Sequence, residues 1–169
     1  AGAWGTLTNF GATGGGAGDQ YGASLDAEGG HLVVGAPGIG GGAGKVFFRE
    51  RVYLGAPFNT YAYNYKTDVS LSGAAANDHF GDAVAMSGTR VVAGAPDDDI
   101  GAEVDAGRAA FYFYNGANWV LDAEQTAGAV AGGANFGDAV DLDGTRALIG
   151  APGESGAGAV YVYDRAGAW

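Results

Sequence analysis

Five carboxylates fall within nine residues at Asp97, Asp98, Asp99, Glu103 and Asp105. Oxygen ligands at that density are what a hard cation such as Ca²⁺ takes, usually six to eight of them. The same run reads equally well as a solvated loop of an acidic protein. Tyr61, Tyr63 and Tyr65 stand at alternate positions, which places their rings on one face of a strand. There they can stack on a ligand ring such as a sugar, or pack the sheet beneath them. Catalytic chemistry has little to draw on. Cysteine is absent and the only histidines are His31 and His79, so there is no thiolate nucleophile, disulfide or thiolate zinc site. No nucleophile elbow, metalloprotease helix or phosphate loop is present. The glycine runs that begin at Gly14 and Gly40 connect strand-like segments and do not open a helix, so they read as tight loops. These residues predict a non-catalytic protein that needs no cofactor, with Ca²⁺ at 97–105 as the one ion to test.

The surroundings narrow the partners. The formal net charge is −11, from 19 acidic and 8 basic residues. A nucleic-acid surface needs clustered Lys and Arg, and lysine occurs only at Lys45 and Lys66. Nucleic acid and anionic membrane are therefore excluded as expected partners. No apolar run approaches the roughly 20 residues of a membrane-spanning helix, so no membrane insertion is expected. The acidic balance matches a protein from a high-salt organism, kept soluble by its charge; an ordinary acidic secreted domain has the same balance. A chain of 169 residues with 47% hydrophobic residues can bury a core. Its 34 glycines exceed the usual share of roughly 7% and predict many tight turns between short strands.

The elements that must position these residues repeat three times. Tyr21-Gly22 leads a Gly-Ala-Pro that ends at Pro37, Phe80-Gly81 one that ends at Pro96, and Phe136-Gly137 one that ends at Pro152. The aromatic precedes the Gly of Gly-Ala-Pro by 14 residues each time (Tyr21 to Gly35, Phe80 to Gly94, Phe136 to Gly150). Within a repeat, a period-two stretch after the aromatic predicts a first strand. Asp143-Gly144 reads as a two-residue hairpin turn with positive φ at both central positions. A short apolar strand then stops at proline, which cannot donate to the ladder. An aromatic and β-branched third strand follows (44–48, 109–114, 158–163), and a fourth begins near Tyr61 and Trp119. Four short strands per repeat with no helical period predict propeller blades. Each repeated ring is expected to fill the space between blades, and its glycine to let backbones approach. Asp82 and Asp138, after two of these glycines, are expected to bond backbone groups between blades. The histidines fall at non-equivalent repeat positions.

The aromatic-Gly and Gly-Ala-Pro signatures at this spacing resemble FG-GAP repeats, the blades of integrin-alpha-type propellers. That resemblance spans essentially the whole chain. It implies an all-β β-propeller, a secreted or cell-surface location, and a role in binding protein or, as in some relatives, carbohydrate. It also implies Ca²⁺ in a loop between the first two strands of a blade. Here that loop is a tight turn with too few oxygens, so those sites are not carried over.

The repeat register sets further expectations. Trp4 precedes Tyr21 by the same 17 residues by which Trp119 precedes Phe136, so residues 1–12 read as an outer, fourth strand. Blade 1 spans about 18–73, blade 2 about 77–129, and blade 3 about 133–169, the last lacking a fourth strand. Propellers have at least about four blades. The sequence therefore predicts that Trp4, Thr6, Leu7 and Thr8 of one subunit pair with Val160, Tyr161, Val162 and Tyr163 of the next. A homodimer then has six blades and a homotrimer nine. A piece of a longer propeller, or a purely structural or engineered fragment, fits the same register.

Overall fold

The computed structural model describes residues 9–12, 15–55 and 61–165. Residues 1–8, the first strand of the predicted closure, lie outside them. Among the described residues, all regular structure of any length is β. The first sheet runs β1 (Leu25–Glu28), β2 (His31–Ala36), β3 (Lys45–Tyr53), β4 (Tyr61–Val69) as an antiparallel meander. The second repeats it with β5 (Val84–Ser87), β6 (Arg90–Ala95), β7 (Arg108–Tyr114), β8 (Trp119–Gln125). The third contains β9 (Ala139–Asp143), β10 (Arg146–Ala151), β11 (Ala159–Asp164), with no fourth strand among the described residues. Two single turns, at Ile39–Gly42 and Glu154–Gly156, have helical hydrogen bonding, but positive φ at Gly40, Gly41 and Ser155 interrupts both.

The local signals act as their chemistry requires. Strands β2, β6 and β10 end at Ala36, Ala95 and Ala151, each one residue before proline. Both complete sheets carry a β-bulge between their third and fourth strands, at Phe48/Arg49 and Phe111/Tyr112. These are equivalent repeat positions, and an extra residue there sharpens the twist of the outer strands. The expected Asp143-Gly144 turn is corrected by one residue. Asp143 pairs with Arg146, so the central residues are Gly144 and Thr145, and only Gly144 has positive φ, at 60°. Gly88-Thr89 repeats this II′ pattern, whereas Gly29 and Gly30 both have positive φ.

Successive sheets stack face to face. Val33, Val46 and Phe48 of the first sheet share one core with Phe80, Met86, Val91 and Tyr112 of the second. Val92 and Phe111 share the next with Phe136, Leu142, Ala147 and Ile149. Each blade thus offers a trailing face to the leading face of the next, and Phe80 and Phe136 are fully buried between them. Glycine makes the fit possible at more than one point in each interface, and the closest approach involves a pair of glycines. A Cβ on Gly35 would lie 1.9 Å from the Gly81 carbonyl oxygen, and one on Gly94 would lie 1.9 Å from that of Gly137. The residue before each aromatic is held in the left-handed region (Gln20, His79 and Asn135, φ 55°, 54° and 53°). It aims a backbone N–H across the interface: His79 donates to Gly42 O (2.7 Å) and Asn135 to Asp105 O (3.0 Å).

Candidate functional site

The acidic loop after β6 does not gather its carboxylates. Asp97 accepts from Asn135 Nδ2 (2.9 Å) and lies 2.6 Å from His79 Nδ1, tying together the residues that precede two of the repeated aromatics. Asp98 is buried against the Arg108 guanidinium at 2.8 Å. Arg108 also reaches Glu124 (3.1 Å) and the Ser72 carbonyl (3.0 Å), so this ion cluster clamps the segment that leads into the second blade. Burial pushes the Asp98 carboxyl up to about 6 despite the opposing pull of Arg108. Asp99 accepts from the Asp105 backbone N–H (2.9 Å), and Glu103 from that of Gly132 (2.9 Å). Four of the five carboxylates are thus spent on protein donors in different directions. Among the described residues no three His, Cys, Asp or Glu side chains group as a metal site requires.

The bridging role expected of Asp82 and Asp138 belongs to other side chains. Asp26 accepts from Met86 N (2.8 Å), Glu28 accepts from Gly88 N, and Ser87 Oγ accepts from Gly144 N (3.0 Å). These acceptors lie on the first strand of each blade, whose neighbour in the next blade is also a first strand. Asp82 and Asp138 precede those strands and are exposed. Partial desolvation first, and the nearby Asp138 second, raise the Asp82 carboxyl above its usual range. The error has a physical source: an acid beside a turn bonds whichever blade approaches it, and that approach is a long-range contact.

The tyrosine stretch gives the most exposed chemistry. Strands β3 and β4 have nine residues each against seven in β7 and β8. The extra length lies outward, because β2 pairs with β3 only as far as His31↔Glu50. Cross-strand pairs Arg49↔Tyr65, Arg51↔Tyr63 and Tyr53↔Tyr61 set arginine and tyrosine together along one face. The inner part of that face is occupied. Arg49 is buried, donates to Tyr21 Oη and Gly11 O (2.8 Å each), and lies 4.4 Å from the Phe10 ring. Phe10 also covers Tyr63, at 5.9 Å between rings. The Tyr65 hydroxyl is bound to Asp68, which raises its pKa. The outer end is more exposed. Tyr61 and Tyr53 are about half exposed, their rings are 5.3 Å apart, and the Arg51 guanidinium lies 4.6 Å from the Tyr61 centroid. Of the three predicted tyrosines, Tyr61 alone joins this platform. Tyr53 and Arg51 complete it, and the sequence reading missed them. The signal was present in the alternation Arg49, Arg51, Tyr53, which mirrors Tyr61, Tyr63, Tyr65.

The histidines are structural in their surroundings. His31 packs against the rings of Tyr114 and Trp119 (4.7 and 5.6 Å), and Trp119 stacks on Phe48 of the first blade at 4.6 Å and 11°. Among the described residues, no helix is long and apolar enough to cross a membrane.

A model of the FG-GAP repeat family matches residues 67–113 and 119–163, together more than half of the chain. Each matched span begins on the outer strand of one sheet and runs through the first three strands of the next. The sequence repeat is therefore offset by one strand from the blade. No curated protein matches the chain.

Proposed function

The chain belongs to the FG-GAP repeat family, and from that premise we propose that it is a non-catalytic β-propeller binding module acting outside the cell or at its surface. The observation that supports this reading is the extended β3–β4 hairpin. It projects beyond the strands that build the blade and ends in the exposed Tyr53–Tyr61 pair with Arg51 against one ring. Two half-exposed aromatic rings beside a guanidinium suit a carbohydrate: the rings take the apolar face of a sugar, and the arginine donates to its hydroxyls. A glycan array probed with the labelled chain tests it. Binding to a defined glycan that Tyr61→Ala reduces at least tenfold supports the reading, and no binding to any glycan counts against the carbohydrate ligand.

A second reading has its own support. Strand β11 ends the third sheet with no fourth strand beside it among the described residues. We propose that the chain self-assembles, two copies closing a six-blade ring in which a strand at residues 4–8 of one copy lies along Val160–Tyr163 of the other. Mass in solution tests this: a particle of 16.8 kDa at every concentration speaks against assembly.

A further inference from the structure

Two blade interfaces inside the chain repeat one another residue for residue, and the outer faces of the first and third blades carry the two halves of a third. Val33, Val46 and Phe48 on the trailing face of blade 1 are fully buried, and their equivalents in blade 2 (Val92, Ala109 and Phe111) are no more than 1% exposed. Their equivalents in blade 3, Leu148, Val160 and Val162, are 37%, 69% and 57% exposed. The leading face shows the converse. Phe80 and Phe136 are buried, whereas Tyr21 is only partly so, and Leu25 beside it is 69% exposed. Tyr21, Gly22, Leu25, Leu32 and Val34 line an open, largely apolar hollow of about 250 Å³.

The close-approach glycines are unoccupied in the same sense. Gly81 and Gly137 touch backbone of the preceding blade, but around Gly22 there is open space. Gly35 and Gly94 have no room for a Cβ, yet one on Gly150 would meet nothing closer than Ala139 Cβ at 3.4 Å. The polar groups follow. In both formed interfaces the aromatic and the residue before it donate across, Phe80 to Ala43 O and Phe136 to Ala106 O beside the bonds of His79 and Asn135. At the open ends, the Gln20 and Tyr21 N–H groups have no backbone acceptor among the described residues, nor the Gly156 and Ala157 carbonyls a donor. Gln20 already holds the left-handed backbone of His79 and Asn135. Asp143 occupies the position from which Glu28 and Ser87 accept the N–H of the next blade's turn glycine. In a further interface that glycine is Gly29.

We propose that the trailing face of blade 3 is a socket for the leading face of blade 1 of a second copy, with Gly22 seated on Gly150 and Tyr21 buried against Val160 and Val162. This deepens the self-assembly reading and rests on it. Strand exchange alone would join the copies at one edge. The face-to-face contact joins blade to blade, and used at both ends by two copies it closes a ring through two heterologous contacts.

Light scattering coupled to size exclusion, run on the parent, on Gly150→Ala and on Val162→Asp, tests it. The parent is expected at twice 16.8 kDa. Gly150→Ala adds a methyl that the isolated blade accommodates and the docked one does not, so it is expected to halve that mass with an unchanged circular dichroism spectrum. Val162→Asp, at a site already in water, is the second variant in case the first misfolds, and is expected to halve it too. A parent that stays at 16.8 kDa overturns this interface and self-assembly together. A dimer that survives both substitutions overturns the interface and leaves strand exchange standing. Neither result bears on glycan binding at Tyr61, which is read separately.

Discussion

At Gly94 one added methyl would have to occupy the space of the Gly137 carbonyl oxygen, 1.9 Å from the ideal Cβ. Backbone on both sides leaves no flexible side chain to yield, so the two blades must part. Gly94→Ala is expected to destabilise the chain by about 2–4 kcal/mol, at or beyond the usual range for overpacking. Urea unfolding followed by tryptophan fluorescence reads it, and a loss below about 0.5 kcal/mol would show that the blades slide freely past each other. Asp98 makes a different residue-scale case. Its folded pKa of about 6 lies above the usual value of about 3.9, so the fold favours the protonated carboxyl. Its contribution is greatest below about pH 4 and is lost as pH rises towards 6. The difference between these two values sets a ceiling of about 3 kcal/mol, with burial outweighing the pull of Arg108. Asp98→Asn, neutral at every pH, is expected to remove this slope: the melting temperature of the parent should fall relative to the variant between pH 4 and pH 6. Parallel curves would mean that Arg108 holds Asp98 charged throughout.

Strand β8 shows how an element binds two blades. It completes the second sheet along β7, yet its first residue, Trp119, is 5% exposed because the indole lies on Phe48 of the first blade. Trp119→Ala would empty that space and is expected to cost about 3–5 kcal/mol in denaturant unfolding, as for other buried large aromatics. A loss under about 1 kcal/mol would mean that Phe48 and His31 close over the gap. The tryptophan was legible in the sequence as the start of a fourth strand, but its partner in the preceding blade was not. The distinction recurs along the chain. Features fixed by local chemistry were readable: strands stopped by proline at residues 37, 96 and 152, and aromatics repeated at constant spacing. Features fixed by the neighbouring blade were not. Asp26 and Glu28 bridge blades, whereas Asp82 and Asp138, expected as bridges, are exposed. The Asp143-Gly144 reading failed by one position because Asp-Gly marks a turn without stating which pair is central. Tyr53 was missed because the length of the β3–β4 hairpin depends on where β2 stops pairing.

For the molecule as a whole, charge is the variable that remains. A net charge of −11 on 169 residues works against compaction through self-repulsion and against docking of a second, equally acidic copy. Ion pairs consume part of the cation supply: Lys45, Lys66, Arg108, Arg146 and Arg165 each face a carboxylate. Most acidic side chains thus have no cation of their own. The range of that repulsion is the Debye length, about 10 Å at 0.1 M salt and about 3 Å at 1 M, so salt should screen contacts between blades before it weakens the closest pairs. Raising NaCl from about 0.05 M to about 1 M is expected to raise the melting temperature by roughly 3–8 °C. That corresponds to relieving about 1–2 kcal/mol in a chain of this size. Replacing chloride by an equal concentration of a non-ionic osmolyte separates screening from general exclusion, since only the salt shortens the Debye length. An equal rise with both would assign the effect to exclusion from the surface. A melting temperature that falls with NaCl would mean that the ion pairs outweigh the unpaired acids. Screening should also act between copies, where each chain brings its full charge to one contact. Any dimer formed through the blade 1 and blade 3 faces is therefore expected to tighten with NaCl, the reverse of an interface built on opposite charges.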